Sequence, residues 1–331
     1  MENKSKFKTP LVTHIYTADP SAHVFDGKLY VYPSHDVSLN VPDDDDGDQY
    51  QMVDYHVLSF DDIGAPVVDH GCILHIKDVP WASGQMWAPD AACKNGKYYF
   101  YFPAKDKDGI FRIGVATSDN PAGPFSAEPN YIHGTFSIDP AVFVDDDGKA
   151  YLYVGGLWGG QLEKWKTGTF VPDAPHQNPH MGSPPNEPAL SVQVAELNDD
   201  MVTLKTPLSE SRILDENSVP LTVGDTDRRF FESPWVHKYN DKYYLSYSTG
   251  DTHFLCYAES DSPHGPFKYK GRILEPVNGW TTHQSIVEFK GKWYLFYHDA
   301  TISGVNHQRN VMFREIEIND DGTITTMHPY D

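Results

Sequence analysis

Three acids stand at matched places in a sequence repeat, and acids placed that way can move protons. Asp19 precedes Pro20, Asp139 precedes Pro140, and Glu232 with Ser233 precedes Pro234. His283 holds the corresponding place before Gln284, and Ala88 the one before Pro89. If the repeats converge, three carboxyls and an imidazole share one pocket. Acids forced together repel, and burial raises the pKa of at least one of them. That arrangement costs stability, yet it is what a general acid needs. Two separated carboxyls suit glycoside hydrolysis: one protonates the leaving oxygen, and the other draws a proton from water or attacks directly. A single Asp before Pro is a common turn residue, so the recurrence carries the argument. Trp87, Trp158 and Trp235 can stack on sugar rings or equally pack the core, and Trp87 is the favoured pocket residue.

The elements that must position these residues are hairpins. "DPSAHVFDGKLYVY" (19–32), "APDAACKNGKYYFY" (88–101), "DPAVFVDDDGKAYLY" (139–153), "SPWVHKYNDKYYLSY" (233–247) and "HQSIVEFKGKWYLFY" (283–297) align on a turn before a Lys. Most of those turns carry the Asn, Asp or Gly that a tight hairpin with positive φ requires. An aromatic, alternating strand follows each turn. A second repeat, S-D-x-P-x-G-P-F, occurs at 118–125 and 260–267. Five such units predict an all-β fold, a single five-bladed β-propeller spanning residues 1–331, with hairpins near 19–36, 88–106, 138–156, 232–250 and 282–300. A β-sandwich is the competing architecture, but it gives no reason for the position before Pro to recur. In a propeller the innermost strands line a central channel, so the acids meet at its mouth. The inserts 37–51 and 171–190 read as loops able to wall that mouth. The acids of "PDDDDGD" lack the spacing of a helix–loop–helix calcium site.

Composition narrows the partners. The net charge of −21 repels nucleic acid and anionic membranes. No apolar run is long enough to span a bilayer. The N-terminus has no signal-peptide pattern, and three scattered cysteines make no disulfide framework, so a reducing, cytoplasmic location is expected. The oligomeric state stays open.

The early "ADP", then "WAPD", "SIDPAVFVDDDGKAYLY", "FFESPWVHKYNDKYYLSYS" and "THQSIV" together resemble glycoside hydrolase family 43 over roughly residues 10 to 325. Its members act on xylan side chains and on xylo- and arabino-oligosaccharides. The resemblance implies Asp19 as general base, Glu232 as general acid and Asp139 as the acid that tunes and orients Glu232. It implies inversion, with roughly 6.5–9.5 Å between base and acid. It also implies Arg309 as a substrate-binding residue and a calcium ion or water cluster beside His283; Trp87, Trp158 and His253 are the other substrate-binding candidates. The expected activity is exo-release of xylose or arabinofuranose. An endo-arabinanase, a non-catalytic sugar-binding propeller and a fructan-acting relative that retains configuration are the alternatives. A protein-binding propeller of the Trp-Asp type is disfavoured, because the chain has no such dipeptide.

Overall fold

The five expected hairpins form. The computed structural model describes residues 9–38 and 41–330. The hairpins pair Tyr16–Phe25 with Lys28–Asp36, Asp90–Lys94 with Lys97–Asp106, Ala141–Val144 with Ala150–Val154, Glu232–Tyr239 with Lys242–Ser248, and Gln284–Phe289 with Lys292–Asp299. In four of them both turn residues are left-handed: Asp26 and Gly27, Asn95 and Gly96, Asn240 and Asp241, Lys290 and Gly291. That is the two-residue turn whose twist matches a hairpin's. The third turn is longer, closed by Asp145 N donating to Lys149 O at 2.8 Å.

Each hairpin opens one blade. Blades 1 to 4 add Asp54–Phe60 and Val68–His75, Phe111–Ser118 and Ser126–Ala127, Gln193–Glu196 and Ser209–Glu210, and Leu255–Ser260 and Phe267–Leu274. Blade 5 has three strands, the third being Asn310–Ile316. The chain after residue 316 bridges Ile318 to Ile324 and lays Met327 against Leu274 of blade 4.

Strand alternation closes the ring. Tyr99 and Tyr101 pack against Leu152 and Val154 of blade 3. Their neighbours Phe100 and Phe102 point the other way, onto Tyr32 and Tyr55 of blade 1. Period-two alternation thus gives each blade two apolar faces. Tyr153 and Tyr247 fill the seam between blades 3 and 4, Tyr257 and Tyr297 the seam between 4 and 5, and Val31 and Phe296 the seam between 5 and 1. Each fully buried aromatic contributes roughly 1.5–3 kcal/mol, which accounts for the tyrosine-rich composition. The first and last segments meet, with Leu11 N donating to Val311 O and Thr17 N to Arg309 O.

The five innermost strands surround an axial channel lined by Ala22, His23, Asp90, Ala141, Val236 and Ile286, among others. Among the described residues no helix is long and apolar enough to cross a membrane. The three cysteines are free.

Candidate active site

The backbone turns sharply where the acids sit. Asp19, Asp139 and Ser233 have φ of 48°, 55° and 61°. A left-handed residue other than Gly, here placed before Pro, costs on the order of 1–3 kcal/mol and persists only where its surroundings hold it. Bulges follow at Ala18/Ser21 and Glu232/Trp235. They swing the strand ends toward the axis. Specific hydrogen bonds fix the turns: Asp19 N donates to His298 Nδ1 at 3.0 Å, and Ser233 N donates to Asp139 Oδ2 at 2.9 Å. The Asp139 carboxyl therefore grips the residue after Glu232 and ties blade 3 to blade 4.

One cleft collects the result. Asp19, Asp139, Glu232, His283, Trp87, Trp158 and Arg309 all line it. Asp44, Asp45, Gln49 and Tyr50 of the 37–51 insert form one wall (residues 39 and 40 of that insert lie outside the described set). The 171–190 insert does not line the cleft. It backs Trp158 instead, through His176 against the indole and Gln177 N donating to Glu163 Oε1, whose carboxylate also accepts from Trp158 N.

The two proton-transfer candidates are held in opposite states. Burial raises the Asp19 carboxyl, but Arg309, His298, His283 and the Ser34 hydroxyl together outweigh it and hold the group at about 2. The Ser34 hydroxyl donates to it as well, at 2.5 Å. Burial keeps His283 and His298 neutral, at about 4 and about 3, so Arg309 is the cation that acts on Asp19 near neutral pH. Burial pushes Glu232 up to about 8, with the Asp19 charge adding to it and Arg309 opposing. Burial, then Glu232, then Asp19 raise Asp139 well above the usual carboxylate range. An ionised carboxylate and a protonated one thus face the same space, the environment-made division that acid–base catalysis uses.

Arg309 is buried with all five N–H donors used. Nε and Nη2 donate to Asp36 at 2.9 and 2.7 Å, Nη1 and Nη2 to Asp19 at 3.0 and 3.3 Å, and Nη1 to Thr281 Oγ1 at 2.9 Å. Arg309 thus holds Asp19 and Asp36 together at the edge of the cleft that it lines. Arg309→Ala leaves two buried carboxylates uncompensated. It is expected to lower unfolding stability by about 3–5 kcal/mol, measured by denaturant titration; a change under 1 kcal/mol contradicts that reading.

Two further expectations resolve differently. His253 does not line the cleft. Its Nδ1 meets Trp280 O at 2.6 Å and its ring abuts the indole edge-on, so it supports a wall residue. Trp235 lies down the axial channel, with Nε1 donating to Ile286 O, because the bulge carries it past the mouth. The aromatic wall is Trp158, Trp280 and Phe231, with ring centroids 5.2–5.8 Å apart. Trp87 forms a second wall, its Nε1 donating to Tyr50 O at 2.8 Å. Trp280, Phe231, Tyr50, Asp36 and His298 were not singled out by the sequence reading. Asp90, of the "WAPD" stretch, accepts from Ser21 Oγ and Val142 N and meets His23 Nε2 at 2.7 Å.

His283 fits a cation at the floor of the cleft. The Ser233 hydroxyl donates to Thr282 O at 3.1 Å, so it accepts from His283 Nδ1–H at 2.9 Å. That leaves the Nε2 lone pair of a neutral ring available, and the charges of Asp19 and Asp90 act on the ring against that of Arg309. Waters would complete an oxygen-rich shell.

Fold and site together define a five-bladed propeller glycoside hydrolase. A profile of the glycosyl hydrolases of family 43 matches residues 69–324. The chain belongs to that family. It is 59% identical over 324 residues to xylosidase/arabinosidase 43A of Humicola insolens, covering 97% of this chain and 99% of that one. It is 52% identical to a xylosidase/arabinosidase of Bacteroides ovatus, covering 98% of each. Among solved structures, a family 43 β-xylosidase/α-arabinofuranosidase from a compost microbial metagenome superposes with TM-score 0.95 at 58% identity, covering 98% of both chains. That protein was solved with xylotriose in a calcium-free form.

Proposed function

We propose that this enzyme releases terminal β-xylose, and α-arabinofuranose, from short oligosaccharides with inversion at the anomeric carbon. What carries the reading is the pairing of an ionised Asp19 with a protonated Glu232 in one cleft. The terminal sugar enters the cleft non-reducing end first and lies between Trp87 and the Trp158–Trp280 wall. Glu232 donates its proton to the glycosidic oxygen. Asp19, on the other face of the sugar, takes a proton from the attacking water. Asp139 touches no breaking bond; it holds the Ser233 amide and so the direction of Glu232. The names of the relatives and the wall built by 37–51 support exo rather than endo action. The free cysteines agree with work in a reducing compartment on imported oligosaccharides.

The direct experiment is hydrolysis of p-nitrophenyl β-xyloside and α-arabinofuranoside, with products of xylotriose followed over time. Xylose and xylobiose appearing from the first turnovers support the reading. Inactivity on all three substrates would sink it.

Calcium, when bound, would be held by His283 and water, and it would supply positive charge to the floor beneath the acids. Chelation is expected to lower kcat, and added calcium to restore it. His283→Ala is expected to abolish that response; a response that survives the substitution contradicts the assignment.

A further inference from the structure

A second group of ligand-type side chains lies in blade 1, away from the cleft. His35 is on the strand Lys28–Asp36, and Asp54 and His56 are on the adjoining strand Asp54–Phe60. The register that sets Ser34 opposite Tyr55 puts His35 opposite Asp54, with His56 two residues further along the same face. One ligand atom from each of the three lies within 4.8 Å of the others. His35 Nδ1 and Asp54 Oδ1 are 2.8 Å apart, and the His35 and His56 ring centroids are 4.7 Å apart. Their side chains are 14–21% exposed, screened from bulk water yet open to an ion.

A separate observation points to a ligand. His56 Nδ1 meets Asp69 Oδ1 at 2.9 Å, and that carboxylate is itself held by Gly71 N at 2.8 Å and His14 Nε2 at 2.6 Å. A carboxylate on one imidazole nitrogen fixes the tautomer and leaves the other nitrogen with its lone pair, which is how metal-bound histidines are oriented. Cys72 is opposite His56 in the next strand, and its exposed thiol approaches Asp54.

We propose that His35, Asp54 and His56 form a binding site for a divalent transition-metal ion, best matched to zinc. Two imidazoles and one carboxylate with an open fourth position suit zinc, whereas calcium prefers an all-oxygen shell. Ligands at about 2.1 Å from zinc stand about 3.4 Å apart, so the widest pair closes by at most about 1.4 Å, within reach of side-chain rotation. The site also has a place in the design of the cleft. Neighbouring Ser34 and Asp36 project to the opposite face, where they hold Asp19 and Arg309. A metal that joins the second and third strands of blade 1 therefore braces the strand that carries the base's supports.

The test uses tag-free, chelator-stripped full-length protein and zinc chloride. Elemental analysis after equilibrium dialysis is expected to find one zinc per chain at micromolar free zinc. Tm is expected to climb with zinc concentration. Affinity is expected to fall at least tenfold in His35→Ala and in His56→Gln, and by about 10–100-fold in Asp69→Asn. Calcium at the same concentration is expected not to compete, and His283→Ala to keep its zinc. The proposal is overturned if no zinc is retained at micromolar concentration, which leaves a plain His–Asp ion pair. It is equally overturned if uptake persists in both histidine variants or disappears in His283→Ala.

Discussion

Asp19→Ala is expected to lower kcat by about a hundred- to ten-thousandfold, the span that one well-placed general base contributes. The loss should be similar for p-nitrophenyl xyloside and for xylobiose, because water must be deprotonated whatever group departs. The fold should survive. Arg309 keeps its bidentate pairing with Asp36 and its bond to Thr281, so no buried cation is stranded. Circular dichroism and a melting curve should match the parent within a few degrees while the rate collapses. Parent-like turnover in a folded Asp19→Ala protein would remove Asp19 from the chemistry.

Glu232→Ala should show a different pattern. An activated aryl leaving group departs with little help from an acid, whereas a sugar oxygen needs the proton. The variant should therefore lose about a hundred- to ten-thousandfold on xylobiose and much less on p-nitrophenyl xyloside. The pH profile gives the same assignment a second readout. Glu232 works protonated and burial holds it at about 8, so activity on xylobiose should fall as pH rises through that value, and the residual activity of Glu232→Gln should lack this limb. Equal losses on both substrates would argue that Glu232 serves another role.

Much of this architecture is legible in the residues, and the limit is physical. Asp26-Gly27 and Asn95-Gly96 mark their turns because few other residues tolerate left-handed backbone twice in succession. Asp19 and Asp139 stand out because each occupies the same strained place before Pro, so the repeat itself points at the mouth. Arg309 and Asp36 are different. They are 273 positions apart and meet only because the ring closes between blades 5 and 1. Their mutual pairing has no local signature. Trp280 and Phe231 lie outside the aligned hairpin segments, where periodicity says nothing. Trp235 misleads for the opposite reason: it follows Pro234 closely in sequence, but one bulge places it down the channel. The His35–Asp54–His56 group is equally hidden, since only strand register brings residues from two strands to one face.

Inversion demands a single displacement, with Glu232 as acid and Asp19 activating water rather than attacking carbon. Proton NMR of xylobiose hydrolysis, recorded before mutarotation, reads it directly. α-Xylose is the first anomer expected from the non-reducing end. Initial appearance of β-xylose would mean two displacements through a covalent intermediate, and would contradict it.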